Sequence, residues 1–88
     1  MQVNGEQIPD AAIDAALAAM KRQLGFQLYH IASVIEKQLT IVDRFHRGNT
    51  AGRAADRLIQ RERKAGNIGP LNPSHKRSSY WRWIGKAQ

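Results

Sequence analysis

The segment from Thr50 to Ala65 restricts the fold more than any other part of the chain. At about 100° per residue, Ala51, Ala54, Ala55, Leu58 and Ala65 gather on one side of a helix, with Ile59 at the edge. Arg53, Arg57, Arg61 and Lys64, spaced four, four and three apart, gather on the other, with Thr50 and Gln60 beside them. A helix with one small apolar face and one cationic face buries the first and turns the second outward. Gly66 ends the helix, and Arg47-Gly48-Asn49-Thr50 before it reads as a break, with Gly48 stopping the preceding element and Asn49 or Thr50 capping the next.

Two helical segments precede it. Pro9-Asp10 marks a start, with Asp10 as N-cap or in the first turn, and Ala12, Ile13, Ala16, Leu17 and Met20 form a stripe that predicts a helix over residues 10–23. Lys21 and Arg22 suit its C-terminal dipole, and Gly25 offers the stop. Leu28, Ile31, Ala32, Ile35, Leu39, Val42 and Phe45 then recur at helical spacing across residues 27–46. The β-branched run Thr40-Ile41-Val42 leaves open whether this is one helix or a helix broken near Thr40.

The ends of the chain read as β structure. Asn4-Gly5 favours a two-residue type I′ turn that sets Val3 opposite Glu6 and Met1 opposite Ile8, so residues 1–9 form a short hairpin or an arm. Tyr80-Trp81-Arg82-Trp83-Ile84 has strong β propensity, and Ile68 to Leu71 is its partner, with Pro70 confining that strand to an edge. Residues 72–79 form the loop between them, carrying Lys76 and Arg77. By alternation Trp81 and Trp83 share one strand face and belong to the core, leaving Arg82 on the exposed face. The fold class is therefore mainly α with a small β-hairpin, and 88 residues make a single domain.

Charge is distributed unevenly. The net charge is +7 with a pI near 10.6. Residues 1–40 carry Lys21, Arg22 and Lys37 against Glu6, Asp10, Asp14 and Glu36, whereas residues 41–88 carry eleven bases against Asp43, Asp56 and Glu62. A neutral half joined to a strongly basic half attracts a polyanion to one side of the molecule. The stripe of helix 50–65 supports this, because like charges four apart repel unless a phosphate-lined groove relieves them.

Other chemistry finds little support. There is no cysteine for a disulfide or thiolate site, and His30, His46 and His75 lack metal-ligand spacing. Neither a paired-carboxylate motif nor a nucleophile triad nor a glycine-rich phosphate loop occurs, so no enzyme, cofactor or small-molecule substrate is expected. No apolar run reaches the length of a membrane span and no secretory signal is evident, so a cytoplasmic location is expected.

Arg57-Leu58-Ile59-Gln60-Arg61-Glu62-Arg63-Lys64-Ala65-Gly66-Asn67-Ile68 followed by Tyr80-Trp81-Arg82-Trp83 resembles the winged helix-turn-helix superfamily over about residues 26–84. In that family a glycine ends the recognition helix and an apolar residue two places on starts the wing, as Gly66 and Ile68 do here. Ala54-Ala55-Asp56-Arg57 adds a likeness to small DNA-binding proteins of bacteriophages and prophages. Two features depart from the pattern: Glu62 stands where members often carry Leu, and the stretch from Leu39 to Thr50 is longer than the usual turn.

The resemblance implies a three-helix winged helix-turn-helix that binds double-stranded DNA, as a small transcriptional regulator or accessory factor, with helix 50–65 in the major groove. Thr50, Arg53 and Arg57 would then read bases and Arg61 and Lys64 would meet phosphates. Lys76 and Arg77 at the wing tip, Arg47 before the helix and Arg82 on the strand would add further contacts. A homodimer through Ala11, Ala15, Ala18 or Ala19, or a second DNA-bound protein, is expected for full affinity. The same basic face would also serve a protein that binds another protein or RNA.

Overall fold

A computed structural model describes residues 1–72 and 80–85. Its elements run β1 (Gln2–Val3), β2 (Glu6–Gln7), α1 (Asp10–Arg22), α2 (Leu28–Glu36), α3 (Arg44–Lys64), β3 (Ile68–Pro70) and β4 (Trp81–Trp83). The fold is mainly α with a small β-hairpin at each end of the described chain.

The main difference from the sequence reading lies at the start of α3. Residues 27–46 are not one helix. α2 stops at Glu36, and α3 begins at Arg44 rather than Thr50. Asp43 is the N-cap, its carboxylate accepting from the backbone N–H of Phe45 at 2.9 Å and of His46 at 3.1 Å. That cap satisfies donors a helix start otherwise leaves bare. Gly48 and Asn49, expected as breaker and cap, lie inside the helix. An interior glycine weakens a helix by about 0.5–1 kcal/mol without stopping it, and α3 runs on for 21 residues. As a result Val42 and Phe45 lie outside the core, at 95% and 90% exposure.

The other end of α3 matches expectation. Gly66 adopts φ +82°, its N–H donates to Arg63 O at 3.1 Å, and Asn67 N–H donates to Glu62 O at 2.9 Å. This is a Schellman closure, which ties off the last carbonyls and turns the chain into β3. β3 pairs antiparallel with β4, setting Ile68 opposite Trp83 and Pro70 opposite Trp81. On its other side β4 pairs with Phe26, through Phe26 N–H to Trp81 O at 2.9 Å and Trp81 N–H to Phe26 O at 2.8 Å. Pro70, lacking an N–H, therefore sits on the outer strand.

The core gathers Ile8, Ala12, Ala16, Met20, Phe26, Ile31, Ile35, Ala54, Leu58 and Ile68, all at most 3% exposed. Ala12, Ala16 and Ala19 are buried by α1's packing, so Ala19 is not the dimer contact expected of it. α2 lies between α1 and α3 and packs against both. Its N-terminus is closed by Gln27 and His30, whose Nδ1 accepts from Gln27 N–H at 3.1 Å. That capping role accounts for His30 without a metal. Trp81 and Trp83 are half-buried and packed on the core, with Lys21 Nζ standing 5.1 Å from the centroid of Trp83.

At the N-terminus Asn4 (φ +54°) and Gly5 (φ +77°) form the type I′ turn, and Val3 pairs with Glu6. The hairpin is no loose arm, because Val3 and Ile8 are buried, at 1% and 0% exposure. Burying two branched aliphatic side chains stabilises it by roughly 3–6 kcal/mol before ordering costs. That anchorage brings its turn beside α3.

Candidate nucleic-acid interface

α3 exposes Arg44, Arg53, Arg57, Arg61, Arg63 and Lys64, and the only exposed carboxylate along it is Asp56. Glu62, the second acid of the helix, is buried and already used. Its Oε2 accepts from Arg61 Nε at 2.9 Å and its Oε1 from Asn67 Nδ2 at 2.9 Å. A carboxylate held this way supports the turn into β3 and explains why an acid stands where an apolar residue was the expected pattern.

The stripe expected from the sequence divides into a buried member and exposed ones. Thr50 is fully buried, and its Oγ1 accepts from Asn4 Nδ2 at 3.3 Å. It is therefore not a base reader; the expectation treated it as the start of a helix, whereas it sits six residues in and faces the hairpin. Arg53 Nη1 donates to Asn4 Oδ1 at 2.7 Å, and Arg57 Nη1 donates to the Gln2 carbonyl at 2.6 Å. Both side chains remain exposed, and each guanidinium keeps further donors beyond the one engaged. The hairpin thus orients these two arginines along one flank of α3.

Arg47 leaves the expected set. It is half-buried, its Nε bonded to Glu36 at 3.2 Å and its Nη1 to the Ile41 carbonyl at 3.1 Å, so it ties the start of α3 to α2 and to the connecting turn. Arg61 is about half exposed beside Glu62, while Lys64 is exposed without an ion pair among the described residues. Arg82 projects from β4 opposite Gly69 and is exposed. Lys76 and Arg77, expected at the wing tip, lie outside the described residues.

Sequence reasoning missed Arg63 and Arg44, both exposed, and the hairpin partners Gln2, Asn4 and Glu6. Glu6 Oε1 lies 3.2 Å from His46 Nε2. The Asn4-Gly5 turn was visible in sequence, but its docking site is more than 40 residues away and is made by polar atoms with no periodic signal. Among the described residues no group of three His, Cys, Asp or Glu is placed to hold a metal ion, and no helix is long and apolar enough to cross a membrane.

Comparison with protein-family models, with curated proteins and with solved structures finds no match to this chain.

Proposed function

We propose that the chain is a DNA-binding protein of the winged helix-turn-helix kind, acting as a small regulator or accessory factor. The observation that carries this reading is the imbalance along α3, where six exposed cations face one exposed carboxylate. Folding alone gives no reason for it, since exposed like charges four residues apart repel by a few tenths of a kcal/mol per pair. A phosphate backbone turns that penalty into binding through counterion release. The order of elements supports the same class: α2, a turn, α3, a glycine closure, then an antiparallel hairpin at the helix end.

In this reading Arg61, Arg63, Lys64 and Arg82 meet phosphates, while Arg53 and Arg57, preset by the hairpin, keep donors for base edges. Thr50 takes no part. Salt titration of binding to mixed-sequence duplex DNA tests the class. The four phosphate-facing cations give a slope of log K against log salt of about −3.6 at the −0.9 per phosphate typical of B-DNA. No binding at low salt, or a slope near zero, rejects the reading. Stronger binding to duplex RNA than to DNA would redirect it.

A further inference from the structure

The first two turns of α3 extend past the core and carry a face that the fold leaves unused. Phe45 is 90% exposed and Val42 beside it 95% exposed, although both are large and apolar. Along the same flank lie Gly48 and Gly52, and a Cβ added at either meets no atom within 4 Å. Neither glycine is needed for a turn or an internal close approach, yet each lowers helix stability relative to alanine. A cleft opens over Gly52, lined by Leu28, Asn49, Gly52, Arg53, Asp56 and Arg57.

We infer that this face binds a second copy of the chain, with two α3 helices crossing antiparallel over Gly48 and Gly52. Asn49, Gly52, Arg53 and Asp56 stand at i, i+3, i+4 and i+7, the four corners of a hole that receives one side chain from a facing helix. Phe45 of the second copy is the knob, and Gly52 forms the floor that lets an aromatic ring enter. The Arg53 guanidinium is drawn aside to Asn4, leaving the aliphatic stem to line the hole. Charge selects the antiparallel sense. The i+4 row reads Arg44, Gly48, Gly52, Asp56, basic at one end, bare in the middle and acidic at the other. Turned end for end against itself, that row sets each Arg44 near the Asp56 of the second copy. Within one chain these two residues lie about 18 Å apart along the helix and do not meet.

The pairing borders Arg53 and Arg57 at the edge of the cationic flank but leaves Arg61 and Lys64 clear, and it stands whether or not DNA is the ligand. If the proposed DNA reading holds, the two Arg61 side chains lie roughly 35 Å apart along the paired helices. That is about one turn of duplex, the usual spacing of paired half-sites.

Sedimentation equilibrium of the full chain without DNA, from low micromolar to near-millimolar concentration, is the test. The wild type should show a monomer–dimer equilibrium. Phe45→Ser and Gly52→Leu should each shift it toward monomer, with unchanged far-UV circular dichroism. Arg44→Asp alone should weaken the dimer about tenfold, since two attractions become two repulsions, and Arg44→Asp with Asp56→Arg should restore it. A monomer at every concentration overturns the inference. So does a dimer indifferent to Phe45→Ser, or a charge swap that fails to rescue.

Discussion

Replacing Asn4 probes the contact between the N-terminal hairpin and α3 at a single side chain. Asn4 performs three tasks: it adopts φ +54° in the turn, donates to buried Thr50 Oγ1, and accepts from Arg53. The Thr50 bond, at 3.3 Å and partly buried, contributes about 0.5–1 kcal/mol. The bond from Arg53 is charge-assisted but exposed, and screening limits it to about 0.5 kcal/mol. Alanine loses both bonds and also the short polar side chain that lets asparagine tolerate the left-handed region, where an ordinary residue pays about 1–2 kcal/mol. Asn4→Ala should therefore destabilise by about 2–3 kcal/mol, whereas Asn4→Gly, which accepts that backbone, should lose only about 1–1.5 kcal/mol. Asn4→Asp keeps the acceptor for Arg53 and should fall between wild type and glycine. Urea denaturation followed by circular dichroism measures all three. For a domain of this size each kcal/mol moves Tm by about 4–8 °C, so the alanine and glycine variants separate clearly. Equal stabilities for alanine and wild type would refute the argument, because they would mean that the turn is neither left-handed nor docked.

Four further substitutions probe other parts of the molecule. Trp83→Ala should cost about 2–3 kcal/mol, below the 3–5 kcal/mol of a fully buried aromatic, because the ring is only half-buried; thermal unfolding measures it. Gly48→Ala and Gly52→Ala should each raise stability by about 0.5–1 kcal/mol, since open space lies over both, and Gly52→Ala should weaken self-association in the same sample. Glu62→Ala should lose about 1–3 kcal/mol by removing the buried acceptor shared by Asn67 Nδ2 and Arg61 Nε, with hydrogen exchange quickening first at Gly66 and Asn67.

What the chain revealed before folding was its local chemistry. Asn4-Gly5 specified a type I′ turn, Gly66 a helix closure and Pro70 an outer strand, since each residue type satisfies a backbone need within four or five positions. The start of α3 was harder because two local signals competed. Gly48 suggested a break, but Asp43 supplied two real hydrogen bonds to the helix start and prevailed. Apolar spacing alone also placed Val42 and Phe45 with the core, although the helix they begin extends beyond anything that could cover them. For the candidate site, composition and periodicity identified the arginines of α3 but not their surroundings. Thr50 looked like a cap and is a buried partner of Asn4; Arg47 looked like a phosphate contact and is held by Glu36. Those pairings depend on how elements distant in sequence dock, which no local pattern encodes.

The central claim is that α3 presents its cationic flank to duplex DNA. Amide chemical-shift mapping of the labelled full chain, titrated with a short mixed-sequence duplex at low salt, tests both the ligand and the place. The expected result is a contiguous set of perturbed amides over residues 53–64 and at Arg82, reversed by added salt, with α1 largely silent. Perturbations confined to α1 and Leu24, or none at all at duplex concentrations that saturate an ordinary basic DNA-binding domain, would contradict it.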